Sequence, residues 1–206
     1  MKIYYVILSL LMLTASQSFG QKTRAELIFK DGSLLEGIAE PIHSYNIKFK
    51  KDHNAKKQYF SFEEVDTLKV YYDFEPTVYV LVKIKDGYVP KVLELASAGK
   101  NVVYYRNILP GKTLPVAIPS NDGGSIMIGG GISRGSHSYV RKTNEEEAIH
   151  LASSNWISKK FKNTASNFFY DCTELVEKIQ NREFKKRDLN EIIEFYNTKC
   201  LTTKKK

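Results

Sequence analysis

Ala25-Glu26-Leu27-Ile28-Phe29-Lys30-Asp31-Gly32-Ser33-Leu34-Leu35-Glu36-Gly37-Ile38-Ala39 reads as two strands and the turn between them. Apolar residues recur on both sides of Asp31-Gly32. That dipeptide is a tight-hairpin signal, because a type I′ turn needs positive φ at both central positions. The arrangement returns at Val78–Lys85, Asp86-Gly87 and Tyr88–Leu95, with Lys-Asp-Gly at each turn. Between the two hairpins, Asn46–Lys50 and Gln58–Phe62 are expected to pair across the polar loop Lys51–Lys57. Thr67–Tyr72 and Asn101–Arg106 supply further strands. Tyr45, Ile47 and Phe49 alternate with Asn46, Lys48 and Lys50, which puts one face in a core and the other in water. Val78–Val82 is apolar almost throughout and belongs at the centre of a sheet.

Outward from that β region the pattern changes twice. Leu109–Gly135 contains Pro110, Pro115, Pro119 and the glycine-rich run Gly123–Gly135, with one apolar triplet, Ile126–Ile128. It reads as a long excursion with room for one hairpin, and Ser138–Arg141 as a return to the sheet. From Asn144 the period moves toward 3.6: Ala148, Ile149, Ala152 and Trp156 share a helical stripe, as do Ile157, Phe161, Ala165 and Phe168. Two more helices are expected, opened by Asp171 with Glu174 and by Asp188 with Glu191, each an Asp form of the capping box. Their apolar faces are Leu175, Val176 and Ile179, then Leu189, Ile192, Ile193 and Tyr196.

Met1–Gly20 carries one cation, Lys2, then the apolar run Ile3–Leu13 and the small residues Ser18 and Gly20. This is the layout of an export signal cleaved between Gly20 and Gln21. The run is shorter than the roughly 20 residues of a permanent membrane helix. Gln21, not cysteine, follows the cleavage point, so lipid acylation there is not expected. The predicted location is periplasmic or secreted.

Cys172 opens one predicted helix and Cys200 closes the next. If the two helices fold back on each other, these ends meet at the roughly 4.4–6.8 Å Cα separation of a disulfide. They are the chain's two cysteines, and an oxidising compartment favours their pairing. A wide spacing also differs from the Cys-x-x-Cys of a redox pair.

The chain has 206 residues, 42% hydrophobic and 26% charged, which argues against wholesale disorder. Its net charge of +8 is dispersed, and after export it points to anionic envelope polymer or lipid headgroups and away from nucleic acid. No cofactor is expected. The glycine run lacks the Gly-Lys-Ser/Thr of a phosphate loop. His43, His53, His137 and His150 have no metal-ligand spacing. Ser125 and Ser136 stand outside any Gly-x-Ser-x-Gly elbow. Glu63, Glu64 and Asp66 read as loop charges, and Tyr71, Tyr72, Phe74 and Tyr79 as sheet packing before a sugar-stacking platform.

Phe168-Phe169-Tyr170-Asp171-Cys172, Leu175-Val176 with Ile179, Phe184-Lys185, Asp188-Leu189 and Phe195-Tyr196-Asn197 before Cys200 resemble the tail of uncharacterised exported proteins of Gram-negative bacteria. In these an N-terminal β region, with a Lys-Asp-Gly hairpin and a step like Phe62-Glu63-Glu64-Val65, precedes a helical end. The resemblance implies location and architecture and names no reaction.

The expected fold is α+β: an antiparallel β-barrel or sandwich of about 7–9 strands, then a helical segment with a disulfide-stapled hairpin. The expected division is a signal over 1–20, the β domain over 21–108, the Gly/Pro-rich loop over 109–141, helices over 142–200 and a disordered lysine-rich tail over 201–206. The expected function is a non-catalytic envelope module for binding or structure. The alternatives are a hydrolase acting on envelope polymer, and a peripheral binder of anionic lipid or polysaccharide. Another envelope protein is also among the expected partners.

Overall fold

The computed structural model describes residues 23–39, 45–72, 75–108, 112–119, 125–133, 135–154 and 157–200. The export signal with Gly20 and Gln21, His43, Phe74, Trp156 and the tail 201–206 lie outside the described residues.

Among the described residues, twelve strands precede three helices. They are β1 (Thr23–Phe29), β2 (Leu34–Ala39), β3 (Asn46–Lys50), β4 (Gln58–Ser61), β5 (Val65–Tyr71) and β6 (Pro76–Val82), followed by β7 (Lys91–Ala98), β8 (Val102–Ile108), β9 (Lys112–Pro119), β10 (Ser125–Ser133), β11 (Ser136–Lys142) and β12 (Ile149–Ser153). The helices are α1 (Ser158–Phe168), α2 (Thr173–Gln180) and α3 (Leu189–Phe195), and α3 runs into a π turn, Tyr196–Cys200.

Ten strands form one antiparallel sheet in the order β12-β11-β8-β7-β6-β5-β1-β2-β3-β4. A barrel requires its end strands to pair, whereas β12 and β4 are both edges, so the sheet is open. It exceeds the expected strand number because β12, expected as the start of a helix, joins it beside β11. The excursion itself holds the β9–β10 hairpin, a separate two-stranded unit. β6 takes the central position that its apolar run suggested.

Ile149–Ser153 is a strand, not the start of a helix. The cause is a bulge: Ser138 faces Ala152 and Tyr139 faces His150, which leaves Leu151 as an extra residue. The bulge breaks the two-residue alternation, so Leu151, Ala152 and Ser153 are all buried, and the sequence imitates a helical stripe. From Phe161 the helical stripe is real: Phe161, Ala165 and Phe168 are buried, whereas Ile157 precedes the helix and is exposed.

The two Asp-Gly turns also depart from type I′. In the first, Gly32 alone has positive φ, 84°, and its N–H bonds to the Phe29 carbonyl at 2.9 Å. This is a three-residue loop with glycine in the left-handed position. In the second, Asp86 takes the positive φ, 60°, within a longer connection in which Ile84 bridges Ala148.

The core has three parts. Ala25, Leu27, Ile47, Phe49, Phe62, Val65 and Leu68 pack together at the β1–β5 end. Val82, Ile84, Leu93, Tyr105, Tyr139 and Ala148 gather around the middle of the sheet. Val102, Tyr104, Val140 and Leu151 meet Phe161, Phe169, Leu175, Ile179, Ile192 and Tyr196 of the helical layer. Alternation along β8 separates these faces: Val102 and Tyr104 meet the helices, Val103 and Tyr105 the opposite side.

Candidate functional site

Where the end of β11 meets the helical layer, an open cleft of about 1080 Å³ is lined by Lys142, Glu145–Glu147, Phe168, Tyr170, Asp171 and Tyr196 among others. Lys142, the last residue of β11, donates to Asp171 Oδ2 at 2.8 Å. The Tyr196 hydroxyl donates to the same oxygen, also at 2.8 Å. Lys142 Nζ lies 5.1–5.6 Å from the ring centroids of Phe168, Tyr170 and Tyr196, so aromatic faces share the cation with the carboxylate. Asp171 Oδ1 is buried and meets no donor among the described residues.

Electrostatically the cluster is set for holding charge. Burial, the largest single influence on Asp171, pushes its carboxyl up, but the bonds from Lys142 and Tyr196 and the lysine's charge bring it below the usual range. Burial likewise opposes the charge on Lys142, and Asp171 and Tyr196 more than restore it, so the ammonium loses its proton later than usual. The Tyr196 hydroxyl is pushed up, first by burial and then by Asp171. A general acid or base works best when it titrates near the operating pH. Here the groups are moved away from neutrality.

Asp171 was expected to cap α2. That helix starts from Cys172 with no side-chain cap bond, because the carboxylate is turned onto Lys142 and Tyr196. Asp188 does stand at the start of α3, yet its Oδ2 accepts from the Lys185 N–H that precedes the helix.

One residue beyond Tyr196, Asn197 ties the same corner to the sheet. Its Oδ1 accepts from the N–H groups of Asn101 and Val102, at 2.9 and 3.1 Å. Its Nδ2 donates to the Val102 carbonyl at 3.3 Å and to the Ile193 carbonyl at 3.0 Å. Cys172 and Cys200 form the expected disulfide, with 5.3 Å between their Cα atoms. The sheet, the α1–α2 corner and the chain after α3 are therefore joined by an ion pair, an amide clamp and a covalent bond.

A second cluster lies on the sheet face away from the helices. His137 Nδ1 and His150 Nε2 are 3.1 Å apart, and the His150 ring leans on both His137 and Tyr139 at 5.0 Å between centroids. Burial, then the charge of His137, holds the His150 imidazole below its usual pKa. Among the described residues, no group of three or more His, Cys, Asp or Glu is placed to hold a metal ion.

The other candidates stay apart. His53 sits in the β3–β4 loop. Tyr71 donates to Glu26 at 2.6 Å, while Tyr72, just past the end of β5, is half-exposed and bonded to half-buried Tyr79. Tyr71 is thus engaged with Glu26, apart from the Tyr72–Tyr79 pair. Ser136 bonds through its N–H to Ser154 Oγ, and Glu64 accepts from the Ser61 N–H. The Lys142–Asp171 and His137–His150 pairs were beyond sequence reasoning, since each depends on the position of β11 or β12.

The chain matches no family model, no curated protein and no solved structure.

Proposed function

We propose that this chain is a non-catalytic binding or structural module that works outside the cytoplasm. The observation that carries the reading is the Lys142–Asp171–Tyr196 cluster. Its groups are held in fixed protonation states, and the cleft above it has no histidine or serine among its lining residues. That arrangement supports a recognition surface more than a hydrolytic one. Tyr170 is 74% exposed on the cleft rim beside the Glu145–Glu147 run, which offers an aromatic face and carboxylates to a partner in the envelope. The disulfide supports an oxidising location.

A photocrosslinking amino acid in place of Tyr170, in intact cells, should capture one envelope partner. The same group at Leu34, exposed on β2 toward the opposite edge of the sheet from β11, should not. Equal labelling from both positions would count against the cleft as the recognition surface. Hydrolysis of envelope polymer by the pure protein, abolished in Asp171→Asn, would replace the reading with an enzymatic one.

Contact with an anionic polymer or lipid surface is a second reading, favoured by the β3–β4 loop. Asp52 Oδ1 accepts from the N–H groups of Asn54 and Ala55, which gives the loop a defined shape. Lys51 and Lys56 are exposed on it, close in sequence to Tyr59, itself 64% exposed. Pelleting with anionic vesicles should weaken as salt rises if this loop binds them. Salt-independent or absent binding rejects that reading.

A further inference from the structure

Beyond that reading and independently of it, we propose that His137 and His150 are the protein ligands of an open transition-metal site that takes Cu²⁺ and, more weakly, Zn²⁺. The Leu151 bulge sets the pair: it places His150 opposite Tyr139, on the same face as His137. The two facing nitrogens are 3.1 Å apart. With metal–nitrogen bonds of about 2.0–2.1 Å, that separation subtends about 98° at a shared ion, which lies about 40° off the line between the nitrogens, so both rings turn from their mutual hydrogen bond to bind it.

The tautomer of His150 is set from behind. Its ring also bonds to the Ala152 carbonyl. Nε2 is engaged with His137, so the bond to Ala152 falls to Nδ1, the nitrogen nearer the main chain. Nδ1 then carries the proton, and the Nε2 lone pair faces His137. A backbone carbonyl bonded to the far nitrogen is the usual second-shell support of a metal-bound histidine. Tyr139 lies beside the His150 ring, 5.0 Å between centroids and tilted by 34°.

Without metal, one proton sits between Nδ1 of His137 and Nε2 of His150. Metal binding moves that proton to Nε2 of His137 through solvent. Both nitrogens then donate lone pairs, and the neutral pair releases no net proton. The remaining coordination positions go to water or to an atom of an incoming ligand.

The surroundings select the metal. Lys91 and Lys160 are the charged groups acting on His150 from neighbouring elements, and both oppose added positive charge. The two protein ligands are imidazole nitrogens, a poor match for Mg²⁺ and Ca²⁺, which take oxygen ligands. An ion held here must gain from nitrogen bonding itself, which places Cu²⁺ above Zn²⁺.

The test is titration of the oxidised full chain with Cu²⁺ near pH 7, read by electron paramagnetic resonance. One equivalent should give a signal split by two imidazole nitrogens. His137→Ala and His150→Ala should each weaken that binding at least tenfold, and His53→Ala should leave it unchanged. Binding that persists in both pair variants with the same spectrum overturns the proposal. A measurement on the unaltered protein covers variants that fail to fold. In ¹⁵N spectra of the histidine rings, sub-stoichiometric Cu²⁺ should broaden His137 and His150 before His53. Their persistence through one equivalent of Cu²⁺ also overturns it.

Discussion

Asn197 shows how one amide can decide the position of a whole layer. Gly99, in the β7–β8 connection, lies directly under it, and a Cβ at Gly99 would overlap the Asn197 amide group. That group cannot swing aside cheaply, because it holds Asn101, Val102 and Ile193 at once. Gly99→Ala is therefore expected to destabilise the protein by about 1–3 kcal/mol, a usual cost of forced overpacking. Asn197→Ala alone should cost about 1–3 kcal/mol through the main-chain groups it leaves unpaired. The double variant should cost clearly less than the sum, since the clash vanishes with the amide. Strict additivity in urea unfolding would show that the two residues do not meet.

Asp171 sets a pH dependence at the same scale. Its carboxyl is held below the usual range, so the unfolded chain takes up the proton first. The stabilisation is complete above about pH 4 and is lost as the pH falls through the folded value. Lys142 and Tyr196 are both shifted upward, so their contribution is present below about pH 10 and is lost as the pH rises beyond it. Asp171→Asn should flatten the acid limb of the urea-midpoint profile and lower its plateau. An acid limb as steep as that of the parent would contradict the role given to Asp171.

At the scale of elements, the helical hairpin was legible in outline because its determinants are local. Leu175, Ile179, Leu189 and Ile192 recur at helical spacing and are all buried, and the cysteine positions follow once the two helices are antiparallel. The ends were harder. Asp171 resembles a cap in sequence, but its carboxylate is engaged in an ion pair with a residue 29 positions away, and position 142 gives no local sign of it. β12 was hidden for a different reason, since a bulge converts alternation into a run of buried residues. With β12 taken as a helix, the His137–His150 pair could not be foreseen. The staple itself closes a separation of 28 residues, worth about 3–4 kcal/mol on the chain-entropy account. Cys172→Ser with Cys200→Ser should lose stability of that order. Mass spectrometry of the protein purified without reductant should find it two hydrogens lighter than the reduced chain, and two free thiols would refute the bridge.

For the whole molecule, the open sheet matters more than its strand number. Its β1–β5 end has a core of its own, built from Leu27, Phe49, Phe62 and Leu68, without any residue of the helical layer. The β8–β11–β12 end depends on the helices for its cover. Both ends share one hydrogen-bonded ladder through β6 and β7. The disulfide, the Asp171 cluster and the Asn197 clamp all act at the second end. Opening free energies can differ between cooperative parts of one domain, so loss of the bridge should be felt unevenly. After reduction, hydrogen exchange should rise first in α2, α3 and the amides of Asn101 and Val102, which bond to Asn197. The amides of β1 and β5, paired from Ala25–Val70 to Ile28–Thr67, should keep their protection at the same urea concentration. A uniform fall across β1, β5 and the helices would mean instead that the sheet opens as one unit and that the helical layer holds the far core in place.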